Sequence, residues 1–435
     1  MDLVGIAGIL LLVLLVLLGG GVWIAVSLLA AGWIGMQFVP NVSSPGYVLA
    51  TTIWGNSASW TLAALPLFIW MGEILFRTRL SEEMFRGLAP WLNWLPGRLM
   101  HVNVLACGIF GSVSGSSAAT CATVAKIALP ELKKRGYDES VSLGSLAGAG
   151  TLGILIPPSI MMVIYAVAAN VSIIQVFLAG FIPGLLVMGL YSGYIAVWSL
   201  LHPARMPPPE PRLSFRQKLR ESANLIPCLL LIALVFATLL FGWATATECA
   251  AWGVLGSLLI AWWSGSLSWE SFWASVMGAT RVNCMIMLIL AGASFMSTAM
   301  AFTGIPVALA AWVEGMQLSP FGLIAALTLM YLVLGTALDG ISMIVLTTSV
   351  VIPMVSQAGF DLVWFGIFLV LIVEMAEISP PVGFNLFVLQ TMSGKDSNTV
   401  ALAALPFFFL LVAAVAIITA FPGLVTWLPR AVFSP

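Results

Sequence analysis

Charge is what this sequence has least of. Asp, Glu, Lys and Arg make up 8% of its 435 residues, against 61% hydrophobic side chains. A soluble domain needs far more polar surface to face water, so that class is excluded. The formal net charge of −1 leaves no basic footprint for nucleic acid. Histidine occurs only as His101 and His202, too few and too isolated for a zinc or haem centre. The five cysteines (Cys107, Cys121, Cys228, Cys249, Cys284) stand singly in apolar segments. They read as small core residues, not a disulfide framework or metal site. No Gly-x4-Gly-Lys-Ser/Thr run occurs, so this chain does not itself hydrolyse ATP. Residues 111–115 place Val113 where a Gly-x-Ser-x-Gly nucleophile elbow needs serine. No enzymatic activity and no cofactor is expected. A basic n-region is also missing. Asp2 precedes an apolar run over 3–18, which reads as an uncleaved first span with its N-terminus outside.

What is present is apolar sequence from end to end, which predicts an all-α polytopic membrane protein. Crossings are expected near 3–18, 21–39, 61–76, 142–170 and 173–200, then near 225–241, 248–264, 283–302, 362–391 and 400–421. Thirteen of the 16 Lys and Arg precede Glu221. They fall into three groups: Arg77, Arg79, Arg86 and Arg98; Lys126, Lys133, Lys134 and Arg135; Arg205, Arg212, Arg216, Lys218 and Arg220. Basic loops stay on the cytoplasmic side, so all three are placed there. The third lies in a Pro-rich hydrophilic connector over 202–224. Two crossings need roughly 40 residues plus a turn. The interval 98–133 supplies fewer and is centred on the Gly- and Ser-rich residues 111–120. A re-entrant hairpin from the cytoplasm follows, its turn buried in protein or lining a wet cavity. Many of the tryptophans, among them Trp91, Trp94, Trp262, Trp263 and Trp427, fit interfacial belts.

The sequence repeats at an offset of 223 residues. Pro130, Pro157, Pro158 and Pro183 map onto Pro353, Pro380, Pro381 and Pro406. Gly136 and Asp138 map onto Gly359 and Asp361, with Tyr137 over Phe360. Basic segment 77–98 maps onto 300–321, which has no Lys or Arg and carries Glu314. Basic segment 126–138 maps onto 349–361, which has none either. Five crossings per half is odd. Both points predict inverted repeats over 1–201 and 225–435, with a second hairpin near 321–355 entering from the periplasm.

Four segments should therefore meet at mid-membrane: the two hairpin turns and the interrupted helices around Pro157-Pro158 and Pro380-Pro381. Each proline pair removes two backbone donors and frees carbonyls one turn earlier. Freed carbonyls and hydroxyls are hard ligands for a small cation such as Na⁺. The N-termini of half-helices suit a carboxylate. The candidates are Ser112, Ser114, Gly115, Ser116, Ser117 and Thr120 in the first turn, with Thr151, Gly153, Pro157 and Pro158 at the first break. In the second half they are Gly335, Thr336, Asp339, Gly340 and Ser342 in the turn, and Glu377, Pro380, Pro381 and Asn385 at the break. For Na⁺ the candidates are Ser114, Ser116, Gly335, Thr336 and Asp339 with backbone carbonyls. Glu374 is balanced between a functional and a structural role. Glu73 and Glu248 read as embedded structural contacts, and Arg281 as a snorkelling residue at a span end.

The stretches at 111–138, 150–167, 244–256, 335–354 and 377–389 closely resemble the large membrane subunit of tripartite ATP-independent periplasmic (TRAP) transporters. The resemblance covers essentially the whole chain, with Ala246 where a proline is expected before Thr247 and Glu248. It implies an elevator-type, Na⁺-coupled carrier in the bacterial inner membrane. It also implies a separate small four-helix membrane subunit, a soluble periplasmic binding protein and organic-acid substrates such as C4-dicarboxylates or sugar acids. Two further readings stay open at this stage: a self-sufficient Na⁺- or H⁺-coupled anion carrier, and a channel-like or scaffold subunit.

Overall fold

The structure is a computed structural model that describes residues 3–39, 44–78, 80–208, 213–315, 319–335, 338–380 and 383–433. Every longer element among them is an α-helix. The first half runs α1 (Leu3–Gly19), α2 (Ile24–Gln37), α3 (Pro45–Ser57), α4 (Ala64–Phe76) and α5 (Leu80–Leu92). The hairpin helices α6 (Leu99–Ser114) and α7 (Ser117–Lys134) follow. The interrupted pair α8 (Glu139–Leu155) and α9 (Ile160–Ala168) comes next, then α10 (Ile173–Leu201). A short connector helix α11 (Phe215–Ser222) leads into α12 (Ile226–Leu240), α13 (Ala246–Trp263), α14 (Trp269–Thr303) and α15 (Ile305–Gly315). The second hairpin is α16 (Pro320–Gly335) and α17 (Gly340–Gln357). The second interrupted pair is α18 (Leu362–Glu377) and α19 (Phe384–Ser393), before α20 (Ser397–Ala420) and α21 (Gly423–Phe433).

The 223-residue offset is visible in the helices themselves. Both ends of α7 fall on both ends of α17 when shifted by 223, and α8 starts where α18 does. Local chemistry repeats too. Gly136 and Gly359 both sit at positive φ (78° and 80°), where only glycine avoids the Cβ penalty. Tyr137 N–H donates to the Leu132 carbonyl and Phe360 N–H to the Val355 carbonyl, closing both helices alike. Asp138 then caps α8 at Val141 N–H, and Asp361 caps α18 at Val363 and Trp364 N–H. Each cap also faces an arginine, Arg205 at 3.6 Å and Arg430 at 3.8 Å.

Two helices form the centre. Every residue of α8 from Val141 to Leu155 is buried, as is every residue of α18 from Trp364 to Ala376. A helix apolar on all sides belongs inside a protein or membrane, and here other helices surround both. α6, α7, α10 and α20 pack on α8, and α10, α16, α17 and α20 on α18. A second group, α1 to α4 with α12 to α14, packs mostly on itself. It meets the hairpin group where α4 lies on α6 and α14 on α17.

Several details correct the sequence reading. α14 is 35 residues long, about 52 Å at 1.5 Å per residue, where a span over 283–302 was expected. Arg281 is thus an exposed residue within this helix, not at its end. Glu248 lies on the protein surface and makes the structural polar contact expected of it. It closes a capping box with Thr245 at the start of α13, so Ala246 leaves that start firmly defined. Glu73 pairs with Arg77 at 3.0 Å. Helices α3, α5, α11, α15 and α21 lie outside the expected spans. The side chain of Glu314, and residues Arg79, Arg212, Thr336 and Pro381, lie outside what is described.

The broken helices show how freed carbonyls are handled. Pro158 has no N–H for the Ile154 carbonyl, its partner one turn back. The Ser159 hydroxyl donates to that carbonyl instead, at 2.6 Å. At the second break the Ser379 hydroxyl donates to the Ala376 carbonyl at 3.1 Å, the group one turn before Pro380. Ser159→Ala should leave a buried carbonyl unpaired. Its expected cost is about 1–3 kcal/mol, read as a lower midpoint of thermal unfolding in detergent, with Ser159→Thr much closer to wild type.

Candidate functional site

A cavity of about 460 Å³ lies between the two hairpin turns and the two helix breaks. Its wall is made of helix ends. Ser114 ends α6, Ile154 lies at the end of α8, Gly335 ends α16, and Ala376 and Glu377 end α18. Ser117 opens α7, Ile160 opens α9, Gly340 opens α17 and Phe384 opens α19. Four C-termini and four N-termini therefore converge on one space. The first turn of a helix presents free N–H groups and the positive end of its dipole; the last turn presents free carbonyls. The cavity thus offers anion and cation ligands side by side.

The first turn is drawn tight by its own hydroxyls. Gly115 sits at φ 61°, with the start of α9 close by: a Cβ there would lie 3.0 Å from Ile160 Cγ1. The Ser114 and Thr120 hydroxyls bond each other at 2.6 Å. Thr120 donates to the Ser116 carbonyl at 2.7 Å, and Ser116 Oγ accepts from Ala119 N–H as the N-cap of α7. Gly153 permits this packing, since a Cβ there would lie 2.6 Å from Thr120 Oγ1. The Ser117 hydroxyl donates to the Glu377 carboxylate, joining the first hairpin to the second break.

The second turn uses a carboxylate where the first uses a hydroxyl, at the same place in the repeat. Asp339 caps α17, accepting from Ile341 and Ser342 N–H and from the Ser342 hydroxyl. It remains exposed to the cavity. Among the described residues its carboxylate is met by helix donors and open space, and no basic side chain pairs with it.

Of the expected residues, Ser114, Gly115, Ser116, Ser117, Gly335, Asp339, Gly340 and Glu377 line the cavity. Others stand behind the wall. Ser112 donates to the Ile109 carbonyl of its own helix. Thr151 is buried and donates to the Gly148 carbonyl at 2.8 Å. Asn385 is buried, with its amide on the Ala147 carbonyl at 3.4 Å. Thr120, Gly153 and Ser342 support the turns, while Pro157, Pro158 and Pro380 make the breaks without reaching the cavity wall. Sequence reasoning missed the opposite wall: Ile69, Gly72, Glu73 and Phe76 of α4, and Val282 and Met285 of α14. Nothing in their spacing separates them from lipid-facing residues. The close approach of Gly72 to the hairpin, where a Cβ would lie 3.0 Å from the Val113 carbonyl oxygen, exists only in three dimensions. A smaller cavity of about 220 Å³ lies farther along α14, against Ser294, Ser297 and Thr298 with Asn170 and Thr348.

Among the described residues no group of three or more His, Cys, Asp or Glu could hold a metal ion. The carbonyls, hydroxyls and Asp339 around the turns are instead hard oxygen donors of the kind an alkali cation takes.

Comparison with known proteins bears on this geometry. A family model described as "Tripartite ATP-independent periplasmic transporter, DctM component" matches residues 11–424. The C4-dicarboxylate TRAP transporter large permease protein DctM of Pseudomonas aeruginosa is 31% identical over 383 residues, covering 88% of this chain and 89% of that one. The isethionate TRAP transporter permease protein DctMQ of Oleidesulfovibrio alaskensis is 26% identical, covering 94% of this chain but 62% of its own length. Among solved structures, the YdaH transporter of Alcanivorax borkumensis aligns with a TM-score of 0.65 at 13% identity, over 96% of this chain and 99% of that one. That likeness concerns the fold.

Asp339 carries two separable properties, a cap and a charge. Asp339→Ala should lower stability by about 0.5–2 kcal/mol through loss of the cap, while Asp339→Asn, also a good N-cap, should stay within a few tenths of wild type. Thermal unfolding of the purified variants checks this.

Proposed function

The chain belongs to the DctM family, the large permease component of TRAP transporters, and from that premise we propose that it carries an organic acid across the bacterial inner membrane, coupled to Na⁺. The observation that carries this reading is the convergence of eight helix ends on one cavity. N-terminal N–H groups there would hold the substrate's carboxylate. Carbonyls from the four C-termini, the Ser114 and Ser116 region and Asp339 would hold Na⁺, and Thr336 belongs to the same turn. Among the described cavity residues none is basic, whereas Glu73, Asp339 and Glu377 are acidic, Glu73 being paired with Arg77. An anion entering alone would meet carboxylates. Bound cations offset that repulsion, so each ligand favours the other, which is coupling in the thermodynamic sense.

Two cavities along α14, one between the hairpin turns and one farther along the helix, fit a carrier whose hairpin-bearing unit slides past α4 and α14. This is the elevator motion, with the two halves inserted in opposite senses. The relatives' names, C4-dicarboxylate and isethionate, both denote small organic anions. An organic acid of that size fits the larger cavity. A soluble periplasmic protein would deliver it. A small membrane subunit would complete the transporter, in keeping with the tripartite system the family description names.

The test is uptake of a labelled organic-acid panel into proteoliposomes holding this chain and its small subunit, with the cognate binding protein outside. Uptake should need both an inward Na⁺ gradient and the binding protein. Uptake without the binding protein would favour a self-sufficient carrier, and unsaturable flux would favour a channel. Asp339→Asn, whose cap is kept, should raise the Na⁺ concentration for half-maximal uptake about tenfold or more, the equivalent of one charge-assisted contact. An unchanged Na⁺ dependence in that variant would remove Asp339 from the ion site.

A further inference from the structure

Serine and threonine hydroxyls in an apolar setting normally turn back onto the carbonyl one turn earlier in their own helix, because lipid and apolar side chains offer no other acceptor. α14 shows the rule and two exceptions. Its Ser275, Thr280, Thr298 and Thr303 hydroxyls all donate to carbonyls three or four residues back. Those of Ser294 and Ser297 make no hydrogen bond among the described residues. Both serines are half-buried, and both line the smaller cavity. Across it the Thr348 hydroxyl of α17 is spent on the Ile344 carbonyl, and Val167, Ala168 and Val345 are apolar. The exposed Asn170 adds an amide. Ser294 and Ser297 thus hold free donors toward an open space.

The two cavities are stacked along the same three helices. α9 lines the larger with Met161 and the smaller with Ala168, α17 with Ile341 and then Thr348, and α14 with Met285 and then Ser294. The first two steps are seven residues each and the third is nine. At 1.5 Å per residue all three give about 10–14 Å. A slide of the hairpin-bearing unit by about that much along a fixed α14 carries Asp339 and Ile341, at the start of α17, from Met285 to Ser294 and Ser297. The direction is outward. With the basic connector in the cytoplasm, α12 runs out, α13 runs back and α14 runs out again, so the two serines lie toward the periplasm.

We propose that Ser294 and Ser297 complete the substrate site when it faces the periplasm, donating their hydroxyls to the anionic oxygens of the organic acid. The wall that faces the larger cavity in the present structure offers nothing equivalent. Ile69, Phe76, Val282 and Met285 are apolar, and Glu73 is paired with Arg77. The anion therefore leaves two donors behind as it moves inward, and it is held more weakly where it must be released. This rests on the reading of the chain as a sliding carrier of organic acids, and the experiment separates the two.

The first arm is disulfide cross-linking of the chain with its small subunit in lipid, which requires no substrate. In a Cys284→Ser background, Ile341→Cys is combined with Met285→Cys or with Ser297→Cys and oxidised with copper phenanthroline. Both pairs should cross-link, the first in the present arrangement and the second in the outward one. Absence of the Ile341–Ser297 cross-link would overturn the proposal. The second arm is transport in proteoliposomes of a labelled organic-acid panel, succinate and isethionate included, with the cognate binding protein outside. Ser294→Ala combined with Ser297→Ala should raise the concentration of loaded binding protein for half-maximal uptake about tenfold, as for lost hydrogen bonds to a charged group. The lumenal concentration of acid for half-maximal efflux should stay close to wild type. Ser294→Thr with Ser297→Thr, which keep the hydroxyls, should recover most of the uptake affinity. No shift on the outer face, an equal shift on both faces, or threonines as impaired as alanines would overturn the role as ligands. No uptake of any acid by wild type would sink the organic-acid reading and the ligand role with it, while cross-linking would still decide whether the hairpin slides as far as Ser297.

Discussion

Backbone polar groups inside an apolar interior must find partners, and this structure is organised around the places where helices stop there. An unbroken helix satisfies itself. A helix that ends at mid-protein exposes N–H and carbonyl groups that lipid cannot solvate. Here the ends are kept away from lipid by placing α8 and α18 at the centre and wrapping them with the other helices. Some freed groups are satisfied locally, as where Ser159 reaches the Ile154 carbonyl and Ser379 the Ala376 carbonyl. Other helix ends line a shared cavity, where water or ligands can serve them.

The repeat makes that arrangement economical. One hairpin and one interrupted helix supply two N-termini and two C-termini, and the second half supplies the same again. The halves are not chemically equal. The N-cap of α7 is the hydroxyl of Ser116, whereas the N-cap of α17 is the carboxylate of Asp339. The same backbone device thus carries a neutral group on one side of the cavity and a charge on the other. That asymmetry gives the second turn the stronger cation-attracting character. A bond from Ser117 to Glu377 ties the first turn to the second break.

Much of this was legible in the chain. Hydropathy alone gave a membrane fold, and the prolines alone gave the offset that α7 and α17 reproduce at both ends. The clusters at 111–120 and 335–342 marked the turns, because glycine, serine and aspartate are costly in lipid unless a cavity or partner receives them. Other features were hidden. α14 begins fourteen residues before the expected span at 283, because Trp269, Phe272 and Trp273 extend its helix beyond the most apolar stretch. Ser112 and Ser342 were indistinguishable in sequence from Ser114 and Ser116. Only helix phase decides that the first two point at their own backbone or cap and the last two at the cavity.

The sequence by itself determined the solvent, the helical class, the repeat and the segments where the backbone must break. These follow from composition and from proline and glycine, whose effects are local. Tertiary structure alone decided which of two glutamates, three residues apart on α18, faces the cavity (Glu377) and which is buried behind it (Glu374). It also decided that Gly72 and Met285, silent in the sequence, form the opposite wall. The physical reason is the same for both. Burial and proximity depend on how helices distant in sequence pack, and no local pattern encodes that distance.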